Sequence, residues 1–227
     1  EVVDLAGFLV SMGAKINGIG THRLVIEGVK ELHGTTYEII PDRIEAGTFM
    51  VAGALASSGI ELENTRSDHL LSVIDLLGRI GVNIENKGSS LTVLPGDRIK
   101  ATDINTLPYP GFPTDLQAQF MALLCCADGM SVITEKIYPD RFINIAELNR
   151  MGAVIRKEGP SAIILGPQKL SGAPVMASDL RASAALVLAG LVANGETEIN
   201  RVYHIDRGYE NIDTKLRSLG AKIKRVK

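Results

Sequence analysis

Four times along this chain a helical stretch ends in glycine and gives way to alternating β-branched residues. The four stops read Met12-Gly13-Ala14-Lys15-Ile16, Ile80-Gly81-Val82-Asn83-Ile84, Met151-Gly152-Ala153-Val154-Ile155 and Leu219-Gly220-Ala221-Lys222-Ile223. Their glycines lie 68, 71 and 68 residues apart. Gly enters the left-handed conformation without steric cost and so stops a helix, and the alternation that follows is a strand signal. A second series is interleaved. Asp42, Asp115 and Asp179 each precede an apolar helix, and Gly59, Gly129 and Gly195 follow those helices. Strands are expected next, over 60–63, 131–135 and 197–203, each followed by an acidic residue able to cap a further helix: Asp68, Asp140 and Asp206. The chain therefore holds three α/β units of about seventy residues, preceded by the last half of another. Units this long carry much of their own core, which favours packing about a pseudo-threefold axis over a thin solenoid.

The 227 residues, 45% hydrophobic with a net charge of −2, suffice for one large domain or two small ones. Near-neutral charge and only 4% aromatics argue against a nucleic-acid surface, which needs a basic face and stacking rings. The longest apolar stretch, 182–193, is too short to span a bilayer and reads as a buried helix. No positively charged leader with an apolar core opens the sequence. Residues 1–12 read as a helix with no cap before it, so the sequence is expected to begin inside an element of a longer protein. Cys125 and Cys126 are neighbours in an apolar helix, where adjacent side chains diverge, so they are expected to be core thiols in a reducing cytoplasm. His22, His33, His69 and His204 show no metal-ligand spacing, so no metal and no cofactor is expected. The Gly18-Ile-Gly-Thr21 pair lies between strands and reads as a hairpin turn, because no helix follows it.

Three prolines in the 108–113 run fix φ and remove donors, so that segment is expected to be an ordered, non-helical loop. Thr114 is expected to cap the helix that follows, placing Asp115 where a stiff loop meets a first helical turn. A carboxylate held there suits a general base or a substrate clamp, and it would equally complement the macrodipole. Asp42 has Arg43 beside it and Asp179 has Arg181 two residues on, whereas Asp115 has Gln117 at that place. Asp115 therefore reads as the carboxylate without a local cation, and the better placed to meet a ligand. In Asp140-Arg141 and Asp206-Arg207 the arginine falls in an expected first turn, where a cation opposes the dipole unless an anion is bound nearby. Such arginines at repeat-equivalent positions point to a small anionic ligand, or else to surface ion pairs.

Pro110-Gly-Phe-Pro-Thr-Asp-Leu-Gln-Ala-Gln-Phe120, Asp179-Leu-Arg-Ala-Ser183 and Tyr203-His-Ile-Asp-Arg-Gly-Tyr-Glu210 resemble the UDP-N-acetylglucosamine 1-carboxyvinyltransferase (MurA enolpyruvyltransferase) family, over its C-terminal half. The resemblance implies an α/β, enolpyruvyltransferase-like inside-out barrel of repeated βαβαββ units. Residues 1–40 would end the first domain and 41–227 would form most of the second. It implies transfer of the enolpyruvyl group of phosphoenolpyruvate to the 3-hydroxyl of UDP-N-acetylglucosamine, with release of phosphate, as the first committed step of peptidoglycan synthesis. By the same resemblance Asp115 contacts and deprotonates that hydroxyl, Ile137 contacts the sugar nucleotide, and Arg207 reaches phosphoenolpyruvate. Arg141, Asp179, Arg181, Asp42 and Arg43 match charged residues of the cleft. The family's reactive cysteine belongs to the half not present here, so the chain alone is expected to be inactive, and that other half is its expected partner. A transferase acting on shikimate 3-phosphate and a non-catalytic binding module are the alternatives.

Overall fold

The computed structural model describes residues 1–226 except 57, 95 and 97. Two compact units divide the chain, Glu1–Asp42 and Arg43–Lys227. In the first, helix α1 (Val2–Ser11) leads through Gly13, at φ +102°, into β1 (Lys15–Asn17). A turn through Gly18 and Gly20 returns the chain as β2 (Val25–Glu27), antiparallel to β1. Tyr37 closes this unit on α1: its ring lies 5.3 Å from that of Phe8, and its hydroxyl donates to the Asp4 carboxylate at 3.0 Å.

The second unit is built on three inner helices, α2 (Arg43–Leu55), α4 (Gln117–Leu124) and α6 (Leu180–Val192), one from each repeat and each flanked by the other two. Beyond the polar residues of their first turns their sequences are apolar or small on every side, and every residue of α4 is buried. A helix apolar all round cannot face water, so these three form the centre. Gly47 permits the closest approach: a Cβ there would sit 2.4 Å from Leu116 Cδ1. The outer helices α3 (Leu71–Ile80), α5 (Ile145–Arg150) and α7 (Ile212–Ser218) bury one stripe only, as in Val73, Leu76, Leu77 and Ile80 of α3.

The second repeat shows the whole strand pattern. Strands β6 (Ile104–Asn105), β7 (Gly129–Thr134), β8 (Val154–Glu158) and β9 (Ser161–Gly166) pair in the order β6-β7-β9-β8, the first pair parallel and the others antiparallel. The first repeat keeps the antiparallel part, β3 (Ile60–Leu62), β5 (Leu91–Leu94) and β4 (Asn83–Asn86) in the order β3-β5-β4. The third keeps the parallel pair, β10 (Pro174–Met176) with β11 (Glu198–Asn200). This is the mixed α/β architecture expected, and the glycine stops behave as read: Gly81, Gly152 and Gly220 lie at φ +100°, +93° and +97°. Among the described residues, no helix is long and apolar enough to cross a membrane.

The caps expected at Thr114, Asp68, Asp140 and Asp206 fail. Thr114 opens a 3₁₀ turn (Thr114–Leu116) without a side-chain cap; its hydroxyl donates to Glu135 and accepts from Arg141 instead. Asp68 is held by Arg66 at 2.7 Å and Asp140 by Lys157 at 3.2 Å, while Asp206 is gripped by both terminal nitrogens of Arg225. Helices α3, α5 and α7 start later, after Leu70, Asn144 and Asn211. Of the sequence-read caps, Asp179 accepts from a helix amide, the Ala182 N–H of α6 at 2.7 Å. A lysine or arginine within reach outcompetes an uncharged amide for a surface carboxylate.

Candidate active site

Pro113 holds φ −74° and ψ +135°, extended as proline geometry demands, and the chain then tightens into the 3₁₀ turn carrying Asp115 at the mouth of α4. The carboxylate is bridged by two guanidiniums. Arg141 Nη1 lies 2.6 Å from its Oδ1 and Arg181 Nη2 lies 3.1 Å from its Oδ2. Arg141 comes from the loop after β7, and Arg181 from the first turn of α6. Their side chains keep 21% and 13% of their exposure against 38% for Asp115, so the carboxylate is the end of the cluster open to solvent. Burial pushes the Asp115 carboxyl upward, but the bond and charge of Arg141, joined by those of Arg181, outweigh it and hold the group below its ordinary value.

Each arginine is itself anchored. Arg141 Nη1 also donates to the Thr114 hydroxyl at 3.2 Å, and that hydroxyl donates to Glu135 Oε2 at 2.8 Å. Glu135, fully buried at the end of β7, accepts through Oε1 from the Thr106 hydroxyl and from the Ile137 and Tyr138 amides at 3.0 and 3.1 Å. One carboxylate thereby ties the 114–115 turn to the loop holding Ile137 and Arg141. On the other side Arg181 Nη1 donates to the Tyr209 hydroxyl at 3.2 Å.

A family model described as EPSP synthase (3-phosphoshikimate 1-carboxyvinyltransferase) matches residues 1–216. The chain belongs to this family. Enzymes named UDP-N-acetylglucosamine 1-carboxyvinyltransferase from Desulfosudis oleivorans and Methylacidiphilum infernorum are 56% and 58% identical over 226 residues, each comparison covering 100% of this chain and 54% of the relative. The chain thus spans about half the length of the curated relatives it matches. The solved enolpyruvyl transferase NikO from Streptomyces tendae superimposes with a TM-score of 0.89 at 29% identity, covering 98% of this chain and 54% of that one.

Within this family member, Asp115, Arg141 and Arg181 are brought together, and Ile137, exposed, joins them through Glu135. Three readings are corrected. Asp115 is not the carboxylate without a cation; its two cations arrive from 26 and 66 residues away, beyond any local inspection. Arg181 serves Asp115 rather than Asp179, whose side chain faces the α6 amides. Neither Arg141 nor Arg207 lies in a helical first turn: Arg141 precedes α5, and Arg207 ends a 3₁₀ helix (Val202–Arg207) where a cation complements the dipole. Arg207 is exposed, and its side chain has no ion pair or hydrogen bond among the described residues. Asp42 is an exposed residue before α2, and Arg43 opens α2 with its guanidinium 5.4 Å from the Tyr109 ring centre.

Glu135, Tyr209, Thr48 and Gln119 went unread in the sequence. A signal existed for Glu135, since it continues, one residue past β7, the buried alternation of Ser131 and Ile133. Thr48 and Gln119 are buried polar residues in largely apolar helices of successive repeats, a second available clue. Cys125 is buried and its thiol is pushed up to about 12, first by burial and then by Cys126, as befits a core residue.

Proposed function

We propose that this chain is the base-bearing, C-terminal half of an enolpyruvyltransferase acting on UDP-N-acetylglucosamine and phosphoenolpyruvate in cytoplasmic peptidoglycan synthesis. The observation that carries the chemistry is the half-exposed Asp115 carboxylate between two anchored arginines. The substrates come from the relatives named above, whose identity runs over the whole chain. In this reading Asp115 takes the proton of the sugar 3-hydroxyl as that oxygen bonds C2 of phosphoenolpyruvate. The C2–O bond to phosphate then breaks as the adduct loses a proton from C3. Its low proton affinity in the resting site is relieved as an anionic substrate draws on the guanidiniums, which fit phosphate and carboxylate by their planar forks. Arg207, exposed, supplies a further cation to phosphoenolpyruvate, and we assign Asp179 and Arg43 to the polar wall of the same site. No group on this chain is assigned to donate the proton to C3; we place it in the remainder of a full-length protein, together with the rest of the domain that residues 1 to about 40 would end.

The family model's own description favours a second reading, with shikimate 3-phosphate as acceptor. Titration calorimetry on this chain separates the two. Binding of UDP-N-acetylglucosamine that weakens in Asp115→Ala supports the proposal; a preference for shikimate 3-phosphate would replace it. Turnover of both substrates by the 227-residue chain alone would refute the division of labour between halves.

A further inference from the structure

We propose that Tyr209 is a positioning residue for Asp115, acting through Arg181. Tyr209 is fully buried, and its hydroxyl sits among groups from all three repeats. It accepts from Arg181 Nη1 at 3.2 Å and from Gln119 Nε2, in α4, also at 3.2 Å. It faces Thr48 Oγ1, in α2, at 2.8 Å. The Thr48 hydrogen is committed to the Ile44 carbonyl at 2.9 Å, so the phenol must donate to Thr48. Gln119 Nε2 also lies 3.1 Å from Thr48 Oγ1, so one of its hydrogens is shared between the two hydroxyls. The series runs from Arg181 through Tyr209 and Thr48 to a main-chain acceptor inside α2.

The consequence reaches Asp115 through the shape of the guanidinium. Its two terminal nitrogens lie in one rigid plane, so fixing Nη1 on Tyr209 fixes where Nη2 points, and Nη2 points at Asp115 Oδ2. The guanidinium also lies over the phenol ring, 5.6 Å from its centre, which limits rotation about the side-chain bonds. Gly208 makes the approach possible, since a Cβ there would stand 2.9 Å from Leu180 Cδ2 beside Arg181. Arg141 is held by a separate series ending on Glu135, so loss of Tyr209 loosens one of the two cations and leaves the other. Any kinetic effect rests on Asp115 being the base; the positioning does not.

Tyr209→Phe keeps the ring and removes the hydroxyl. Carbon-13 NMR of the Asp115 carboxyl, with nitrogen-15 spectra of Arg181, reads the result directly. In the protein as it stands we expect separate, slowly exchanging Arg181 Nη signals and an Asp115 titration below the ordinary aspartate range. In Tyr209→Phe the Nη signals merge and the Asp115 titration moves up toward that range. Thr48→Val, which removes the acceptor of the phenol, moves both readouts in the same direction and decides the matter where Tyr209→Phe fails to fold. Ile212→Val, a cavity-forming change in the same apolar cluster, lowers stability and moves neither readout. An unchanged Asp115 titration in the two polar variants, or an equal shift in Ile212→Val, overturns the proposal. Full activity in Asp115→Asn would instead overturn the base assignment and leave the positioning intact.

Discussion

Asp115→Asn tests the site through stability as well as chemistry. Asn preserves shape and one carbonyl acceptor but removes the charge that Arg141 and Arg181 both face at 2.6 and 3.1 Å. Breaking a buried pair by removing one partner costs about 3–5 kcal/mol, because an uncompensated charge remains. Here the Asp115 side chain retains 38% of its exposure, so water takes up part of the loss and about 2 kcal/mol is the working figure. For a chain of this size that lowers Tm by about 4–8 °C. The effect depends on pH. The carboxyl is held below its unfolded value of about 3.9, so its contribution is complete above that pH and is lost as pH falls through the folded value. Urea unfolding of both proteins at pH 7 and at about pH 3 should show a gap at neutrality that narrows in acid. Equal stability at pH 7, or a gap that persists unchanged in acid, would refute the ion-pair reasoning. In the proposed full-length enzyme the same change should lower kcat by roughly two to four orders of magnitude, the range for loss of a general base.

Arg207→Lys should weaken phosphoenolpyruvate by roughly ten- to a hundred-fold in the full-length enzyme, about 1.5–3 kcal/mol of charge-assisted bonding, with UDP-N-acetylglucosamine affinity near normal by calorimetry. The reverse pattern would place the anion site elsewhere. Glu135→Gln turns one acceptor into a donor, so Thr114 can no longer donate to that atom and accept from Arg141 undisturbed; we expect about 1–3 kcal/mol lost in urea unfolding, with disordered Ile137 and Tyr138 amide signals in NMR. Cys125, with its thiol pushed up to about 12, should resist iodoacetamide at pH 8 in the folded chain and react only on unfolding, which mass spectrometry of the digested protein reads.

Periodicity made the repeats and their glycine stops legible, since the left-handed turn after each outer helix is a local demand that only glycine meets cheaply. The apolar stretch likewise marked 182–193 as a buried helix, and the proline run fixed the loop before Asp115. Local sequence could not assign charges to partners. Asp68, Asp140 and Asp206 looked like caps because a cap needs only a short side chain and a following helix, yet Arg66, Lys157 and Arg225 took them. Asp115 looked unpaired for the converse reason: Arg141 and Arg181 are distant in sequence, and they meet it only when the second repeat folds and the third closes on it. The anchors behind them, Glu135 and Tyr209, are further out of sequence reach, because a buried hydroxyl or carboxylate declares its role only through the donors that folding brings to it. Local conformation follows from the backbone and from period; the pairing of charges across repeats follows from packing, and tertiary structure alone decided it.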